Sequence, residues 1–388
     1  MSHFELYDDE NSLLMIPGPV FLHPKVQRVL SRPIFGHRTN HFRGILAECE
    51  EMLKGVFGTN GTVFMLTGSG TSAMDAAVRT FISPKEKVVS FIGGKFGERF
   101  ADIAQSAGAN VIRVNVEWGK AIKPDLVKKV LEEHPDAKAV TITHNETSTG
   151  VLHPLPEIAK VVKKHDAYLI VDGITSVGGD YVKMDEWGVD VMVSGSQKCL
   201  GIPPGLGFVA ISTELESVLE KMEKKNSYYL DLKTYYKYWK KKGDLPFTGS
   251  VTLFYALYES LKMIFAEGLE ARIQRHRKMA RAMRKGFTDL GFELFAEKGY
   301  ESNTLTAVKY LPGMSDNEFR TRMQKHGVLI AGGQAHLAGK IFRVAHMSMT
   351  GEREVLTVLA VAELVMHEMG VKPKGSGVKG AISEILRG

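Results

Sequence analysis

Two charged residues follow segments that have the pattern of buried strands. Lys198 comes soon after the apolar run Val189–Val193, which is rich in β-branched residues, and a Gly/Pro segment follows it. Further upstream, the apolar run Tyr168–Val171 is followed directly by the acid Asp172. An isolated lysine is most often a solvated surface charge. Because the carboxyl ends of parallel strands share one edge of a sheet, we expect Asp172 and Lys198 to meet there.

A third segment, Thr67–Ser72, has the composition of an anion-binding turn. It reads Thr-Gly-Ser-Gly-Thr-Ser between the predicted strand Val63–Leu66 and the predicted helix Ala73–Phe81. Glycines let backbone N–H groups turn toward an anion, hydroxyls add donors, and a helix N-terminus adds a favourable dipole. A structural turn with an N-cap serine would have a similar sequence. The Gly-Lys-Ser/Thr end of a Walker loop and the dinucleotide-binding spacing are both missing, so we expect a single phosphate.

The segments around these residues predict the elements that position them. Strand and helix patterns alternate from residue 63 to residue 211, which predicts a mostly parallel sheet covered by helices on both faces. The predicted strands are Val63–Leu66, Lys87–Ile92, Asn110–Val116, Ala139–Thr143, Tyr168–Val171, Val189–Val193 and Gly207–Ile211. The phosphate-binding turn, Asp172 and Lys198 all follow the ends of such strands.

The pattern changes beyond residue 213. Helical patterns come first, including Val251–Glu267 and Glu270–Leu290, and beyond residue 292 short strand patterns alternate with helical ones. We therefore predict an α/β fold in three parts. These are an N-terminal arm at 1–20, a large domain with the mostly parallel sheet at 21–268, and a smaller α+β C-terminal domain at 269–388.

Together, the phosphate-binding turn, Asp172 and Lys198 match what a pyridoxal phosphate enzyme needs. A lysine forms a Schiff base with the aldehyde, an acid keeps the pyridine nitrogen protonated, and a cup holds the phosphate. The chain resembles the class V aminotransferases of fold type I, and within them the serine-pyruvate/alanine-glyoxylate branch, over nearly its full length. The segments that carry the resemblance are Pro17–Pro19, Gly36–Arg38, Ser69–Thr71, His144–Gly150, Val171–Gly173, Ser194–Lys198, Pro203–Gly205 and Phe342–His346.

The resemblance implies a role for each matching residue. Lys198 would form the Schiff base and later move the proton between the substrate Cα and C4′ of the cofactor. Asp172 would pair with the pyridinium nitrogen, which favours the ionised carboxylate. Ile174 would pack against one ring face, and Phe96 stands where relatives place an aromatic residue, often tryptophan, that stacks on the ring. The remaining implied cofactor contacts are Ser69, Gly70, Thr71 and Gln197 at the phosphate and Thr147 near the ring hydroxyl.

Two further residues matter for assembly and for substrate binding. Thr248 matches a threonine that relatives donate to the phosphate of the partner subunit, so the resemblance implies a homodimer with shared active sites. Some relatives have a tyrosine three positions earlier, where this chain has Leu245. Arg343 matches the arginine that holds the substrate α-carboxylate as a bidentate pair. Arg38 and Arg99 are alternatives for that role.

We expect a ping-pong aminotransferase that moves the amino group of a small amino acid, such as serine or alanine, to glyoxylate or pyruvate. Aspartate needs a second cation, which Arg38 would supply, so aspartate and other donors stay open. A cysteine desulfurase needs a catalytic cysteine late in the chain, and no cysteine follows Cys199. A regulator built on the fold needs an added DNA-binding domain, for which the early start of the sheet leaves no room.

Composition and short motifs argue against a membrane protein, a nucleic-acid-binding protein, a disulfide-rich protein and a metalloprotein. In 388 residues no apolar run is long enough to cross a bilayer, and the N-terminal residues are acidic, so we expect a cytoplasmic protein without a membrane partner. The basic run Lys240–Lys242 is interpreted as a solvated helix end and not as a nucleic-acid site, since no nucleic-acid motif accompanies it. Cys49 and Cys199 are too few for a disulfide framework, and His37 and His41 lack the glutamate of a zinc-protease motif, so we expect no metal.

Overall fold

The computed structural model describes residues 12–222 and 226–387. Its helices are α1 (Pro24–Leu30), α2 (Asn40–Phe57), α3 (Gly70–Phe81), α4 (Lys95–Ser106), α5 (Pro124–Glu133), α6 (Leu155–Val162), α7 (Met184–Trp187), α8 (Thr213–Lys221), α9 (Leu232–Lys242), α10 (Val251–Glu267), α11 (Leu269–Leu290), α12 (Asp316–Lys325), α13 (Glu352–Glu368) and α14 (Gly377–Leu386). Its strands are β1 (Leu13–Leu14), β2 (Val63–Thr67), β3 (Lys87–Ile92), β4 (Asn110–Asn115), β5 (Ala139–Thr143), β6 (Asn145–Glu146), β7 (Val151–Leu152), β8 (Tyr168–Asp172), β9 (Val191–Gly195), β10 (Leu206–Ile211), β11 (Glu293–Leu294), β12 (Leu305–Lys309), β13 (Val328–Leu329), β14 (Ala331–Gly332) and β15 (Ile341–Ala345). In these ranges, no helix has the length and apolar character that crossing a bilayer requires.

A seven-stranded sheet organises the chain from β2 to β10, in the order β2-β10-β9-β8-β5-β3-β4. Strand β10 runs antiparallel to its neighbours β2 and β9, and the other neighbouring pairs are parallel. Strands β5, β9 and β10 are buried along their whole length, as strands covered on both faces must be. The mostly parallel sheet predicted from the sequence is confirmed.

The strand ends bring the chemically interesting segments to one edge of this sheet. In the parallel pair β8 and β9, Asp172 lies opposite Val193. In the antiparallel pair, Leu206 at the start of β10 lies opposite Thr67 at the end of β2. The turn before α3, the end of β8 and the turn with Lys198 therefore occupy the same edge.

Helix α3 begins at Gly70, whereas the sequence predicted a start at Ala73. Ser69 precedes it with an extended backbone (φ −87°, ψ 169°), and its carbonyl oxygen accepts hydrogen bonds from the N–H groups of Ser72 and Ala73. The second half of the phosphate turn is therefore the first turn of the helix. Because the first N–H groups of a helix lack intrahelical acceptors, this turn offers backbone donors at the sheet edge.

The strand before Lys198 lies two residues later than predicted. The sequence predicted Val189–Val193, whereas β9 spans Val191–Gly195. The N–H group of Val189 donates to the carbonyl oxygen of Met184 and closes the short helix α7. Only after this contact does the chain join the ladder with β8, so the strand ends directly before the turn that carries Lys198.

A second sheet forms in the C-terminal part of the chain. Its four strands have the order β11-β12-β15-β14, with every neighbouring pair antiparallel. The apolar core beside it contains Met15 and residues from Met279 to Ala381, while the core of the large sheet extends from Val26 to Ile264. Gly268 lies between α10 and α11, where we placed the domain boundary, and the division into domains stays a prediction.

The N-terminal segment is tied to the C-terminal part of the chain. We predicted an extended arm at 1–20, of which residues 1–11 lie outside the described ranges. Leu13–Leu14 form β1, which pairs in parallel with β13. The N–H group of Ala345 in β15 then donates to the carbonyl oxygen of Met15 at 2.7 Å. The predicted arm therefore includes a short strand, and backbone hydrogen bonds hold it in place.

Candidate active site

Lys198 and Asp172 both lie buried at the carboxyl edge of the large sheet. Asp172 is the last residue of β8, and Lys198 lies in the turn that follows β9. Lys198 is 7% exposed and Asp172 is 2% exposed, so neither is a surface charge. Because their charges are opposite, Lys198 lowers the pKa of Asp172 and Asp172 raises the pKa of Lys198, although burial has the larger effect on both.

The side chain of Lys198 is held by the N-terminal segment. Its amine donates a hydrogen bond to the carbonyl oxygen of Pro17, and a Cβ placed on Gly18 would come within 2.6 Å of its Cδ. Burial, together with the positive charges of Arg343 and Arg99, lowers the pKa of Lys198 to about 8. About a tenth of the amine is therefore free at pH 7, far more than for a lysine with the ordinary pKa. Sequence reasoning assigned no site role to Pro17 or Gly18.

Asp172 is a carboxyl group that the surrounding protein almost fully buries. One of its oxygens accepts a hydrogen bond from the N–H group of Ile174 at 2.9 Å. Burial raises the pKa of Asp172 to about 7, and the negative charge of Glu146 acts in the same direction. A cation against Asp172 would keep it ionised. In the segments around it, the hydroxyl oxygens of Thr147 and Thr175 lie 2.6 Å apart.

The phosphate turn, the turn after β9 and Ile174 come together around Gly70. A Cβ on Gly70 would lie 2.7 Å from Cδ1 of Ile174 and 3.5 Å from Cα of Gly195, so a larger residue here would have to displace the Ile174 side chain. Ser69 caps α3 without using its side chain for a cap hydrogen bond. The Oε1 atom of Gln197 is buried and has no hydrogen-bond partner among the described residues. Free helix N–H groups and the Ser69 hydroxyl in one place fit a phosphate group, to which Gln197 would donate through its amide nitrogen and not through its oxygen.

Phe96 lies in the first turn of α4, and a buried carboxylate fixes that turn. Glu146 accepts hydrogen bonds from the N–H groups of Phe96 (3.3 Å) and Gly97 (3.1 Å). The hydroxyl of Ser148 donates to Glu146 and accepts from the N–H group of Lys95 at 2.9 Å. Burial raises the pKa of Glu146, while these donors counteract the rise. Glu146 is a site residue that sequence reasoning missed, although it lies inside a segment of the family resemblance.

Arg343 connects the second sheet with the turn between β6 and β7. Its guanidinium donates to the carbonyl oxygen of Gly332 at 2.8 and 3.0 Å and to that of Thr147 at 3.0 Å, and Oε1 of Gln334 is 3.5 Å away. Arg343 is 6% exposed, and burial lowers its pKa to about 10. The hydrogen-bond acceptors found for it in the described ranges are neutral oxygens. A buried guanidinium in this setting is suited to a carboxylate ligand.

Thr248 lies in the segment before α10, on the surface of the chain. It is exposed, and its hydroxyl oxygen lies 3.4 Å from Nε2 of His37. Arg38, an alternative carboxylate ligand, is 3.2 Å from Asp244 and also donates to the carbonyl oxygen of Leu245. Among the hydrogen bonds and ion pairs found in the described residues, none joins Thr248 or Arg38 to Lys198 or Asp172.

Comparisons with known proteins identify the family to which the chain belongs. The sequence model of the family described as Aminotransferase class-V matches residues 30–351. An uncharacterized aminotransferase of Methanocaldococcus jannaschii is 45% identical over 98% of this chain and 99% of its own length. The serine–glyoxylate aminotransferase of Arabidopsis thaliana is 34% identical over 97% of this chain and 96% of its own length.

A solved structure extends the agreement to the fold. The crystal structure of ureidoglycine-glyoxylate aminotransferase from Bacillus subtilis has a TM-score of 0.91 to this chain at 31% identity, and the match covers 96% of this chain and 97% of that one. The predicted family, branch and fold type are therefore confirmed. The chain belongs to the class V aminotransferases of fold type I and is a transaminase that uses pyridoxal phosphate.

Proposed function

We propose that the protein transfers the amino group of a small amino acid, serine or alanine, to glyoxylate or pyruvate by a ping-pong mechanism. The observation that carries this proposal is the guanidinium of Arg343, which is buried and bonded to neutral oxygens of Gly332, Thr147 and Gln334. A substrate carboxylate would supply the missing negative charge as a bidentate partner. Amino acids and 2-oxo acids both have this carboxylate, so one arginine serves both half-reactions.

The pairing of Arg38 within the chain favours donors with an uncharged side chain. A dicarboxylic donor such as aspartate needs a second cation, and Arg38 was the candidate for it. Arg38 already pairs with Asp244 at 3.2 Å, so its charge is in use within the chain. The serine–glyoxylate and ureidoglycine-glyoxylate enzymes named above share glyoxylate, which supports glyoxylate as the acceptor.

Pyridoxal phosphate, when bound, supplies an aldehyde that takes up the donor amino group and a ring that withdraws electrons from the donor Cα. In our proposal Lys198 holds the cofactor covalently until the donor arrives, and its amine then moves the proton at Cα. Asp172 keeps a proton on the ring nitrogen. The other proposed cofactor contacts are Ser69, Gly70, Thr71 and Gln197 at the phosphate, Phe96 and Ile174 at the ring faces, and Thr147 near the ring hydroxyl.

We also propose a cytoplasmic homodimer in which Thr248 reaches the phosphate site of the partner subunit. The exposure of Thr248 supports a contact outside its own chain. The neighbouring Tyr229 donates from its hydroxyl to the carbonyl oxygen of Thr67 at 2.9 Å, so this surface adjoins the phosphate turn. Cys49 and Cys199 are buried free thiols, which suits a reducing compartment. Light scattering of the purified protein tests this proposal, since one chain is 42.9 kDa and a homodimer has twice that mass.

A panel of amino donors against glyoxylate, pyruvate and 2-oxoglutarate tests the substrate pair. We expect kcat/KM for serine or alanine with glyoxylate or pyruvate to exceed that for aspartate with 2-oxoglutarate by at least about tenfold, because one carboxylate lacks a partner in the second pair. A preference for aspartate would contradict the proposal. Sulfide release from cysteine is not expected, since burial raises the pKa of the Cys199 thiol to about 12.

A further inference from the structure

Arg99 contacts two parts of the site that belong to different helices. It follows Phe96 by one turn of α4, and its guanidinium carbon lies 4.8 Å from the centre of the Phe96 ring. Its Nη1 donates a hydrogen bond to the hydroxyl oxygen of Thr71 at 3.2 Å. A single guanidinium therefore contacts the phosphate turn through Thr71 and the proposed ring-stacking residue through Phe96.

The hydrogen bond from Arg99 constrains the hydroxyl proton of Thr71. A threonine hydroxyl has one proton to donate and two lone pairs that accept. Because Arg99 donates to a lone pair, the O–H bond of Thr71 must point away from the guanidinium. Thr71 lies in the first turn of α3, where the backbone also presents donors, so its proton is available to an anion bound at that helix N-terminus.

Arg99 also places a positive charge beside a turn that has none of its own. Residues 67–72 include no lysine or arginine. The neighbouring Lys95 pairs with Glu98 at 2.9 Å. In the described ranges no ion pair is found for Arg99, whose contacts are the hydrogen bond to Thr71 and the Phe96 ring. The charge reaches the interior of the site, because it lowers the pKa of both Asp172 and Lys198.

We propose that Arg99 positions the cofactor phosphate by holding the Thr71 hydroxyl with its proton toward the anion, while its planar face supports the Phe96 ring. This inference rests on the proposed cofactor roles of Thr71 and Phe96. Arg99 is a positioning residue in this arrangement, since it acts on the phosphate through Thr71. Its loss therefore weakens ligands that carry a phosphate more than ligands that lack one.

Calorimetric titration of the full-length, cofactor-free protein tests this inference without relying on turnover. The probes are pyridoxamine 5′-phosphate and pyridoxamine, which have no aldehyde and bind without reacting with a lysine. We expect Arg99→Met to weaken pyridoxamine 5′-phosphate about tenfold and pyridoxamine less than about threefold, because the Thr71 hydroxyl that Arg99 orients is proposed to bind the phosphate alone. Arg113→Met is the matched control, since Arg113 pairs with Asp102 on the surface, and both affinities should stay unchanged.

A double-mutant cycle tests the path through Thr71. Thr71→Val removes the hydroxyl and should cost about as much affinity for the phosphate ligand as Arg99→Met, and the double variant should be no weaker than either single one by more than about twofold. Equal weakening of both ligands by Arg99→Met, or losses that multiply in the double variant, would overturn the inference. If Arg99→Met does not fold, Arg99→Lys keeps the charge but not the planar face, and a smaller loss confined to the phosphate ligand is expected.

The outcome for this inference is separable from that for the proposed function. If the wild type transaminates and Arg99→Met binds pyridoxamine 5′-phosphate with unchanged affinity, the proposed role of Arg99 is refuted and the proposed function is retained. If the wild type transfers no amino group but Arg99→Met shows the predicted loss of affinity for pyridoxamine 5′-phosphate, the proposed function is refuted and the role of Arg99 is retained.

Discussion

The amine of Lys198 donates a hydrogen bond to the carbonyl oxygen of Pro17, a residue 181 positions earlier in the chain. Gly18 lies against the methylene chain of the same lysine. The lysine is therefore oriented by a backbone oxygen, while Asp172 acts on it through space. Since a carbonyl oxygen is a neutral partner, the amine can lose its proton and react without leaving a buried carboxylate unpaired.

The first prediction concerns Gly18. Its φ of +91° is a backbone conformation that residues with a Cβ rarely adopt, and a Cβ there would lie 2.6 to 2.9 Å from Cδ, Cε and Nζ of Lys198. Gly18→Ala should therefore displace the lysine and lower kcat at least about tenfold. The extent of cofactor loading, followed by the visible band, should fall as well.

A matched control separates backbone strain from the contact with the lysine. Gly370 has a similar φ of +70°, and a Cβ there would have no atom within 4 Å. Gly370→Ala should lower stability by about 1 kcal/mol while the activity per folded molecule stays unchanged. Equal losses of activity in the two variants would rule out a specific effect at Lys198.

The second prediction concerns the pH at which Lys198 reacts. Burial lowers the pKa of Lys198 to about 8, so its amine is protonated and unreactive well below this pH and free above it. The rate at which cofactor-free protein forms the visible adduct with pyridoxal phosphate should rise through a midpoint near pH 8. Stopped-flow absorbance from pH 6 to pH 10 measures this, and Lys198→Ala should show no band. A midpoint near the ordinary value of 10.5 would contradict the prediction.

The third prediction links Asp172 to the stability of the cofactor-free protein. Its pKa is about 7 in the folded chain and about 3.8 in the unfolded one, so the folded state binds the proton more tightly. The stabilising effect is complete below about pH 4 and is lost as the pH rises to about 7. Asp172→Asn has no such proton. Between pH 4 and pH 7 the unfolding free energy of the wild type should therefore fall, relative to that of this variant, by on the order of a few kcal/mol.

Urea unfolding at pH 5 and pH 8 measures that difference. The same variant should bind pyridoxal phosphate more weakly, because it cannot pair with a protonated ring nitrogen. An unfolding difference that does not change with pH would show that Asp172 is already ionised in the empty site.

The fourth prediction concerns Arg343. Arg343→Lys keeps a positive charge but loses the planar, two-pronged donor set, so KM for every amino donor and 2-oxo acid should rise at least about tenfold. The visible band of the bound cofactor should stay as in the wild type, since Arg343 is proposed to hold the substrate. Arg113→Lys, a surface change in β4, should leave KM unchanged. An unaltered KM in Arg343→Lys would refute the carboxylate assignment.

The large sheet was largely predictable because local signals agreed with each other. The strand Ala139–Thr143 and the helix Val251–Glu267 have the predicted bounds, since apolar runs of suitable period end at polar or glycine residues. Lys198 and Asp172 were predictable for a similar reason. Each follows a buried strand, and parallel strands bring their carboxyl ends together.

The parts that were missed depend on contacts between distant segments. Glu146 reaches the N–H group of Phe96 across 50 positions of sequence, and Arg99 reaches Thr71 across 28. No local pattern reveals such contacts, because a buried glutamate and a surface one have the same neighbours in sequence. The shift of β9 likewise depended on a hydrogen bond from Val189 to Met184 that periodicity does not show.

The N-terminal segment has a mechanical consequence for the site. Met15 is hydrogen-bonded to Ala345, two residues beyond the substrate arginine candidate Arg343 on the same strand, and Pro17 is hydrogen-bonded to Lys198. Two residues of chain span about 7 Å at full extension, so this tether limits how far strand β15 and the lysine can separate. If the C-terminal sheet moves when Arg343 binds a carboxylate, residues 15–17 would move with it. The position of the Lys198 amine would then change through the backbone and not through the substrate.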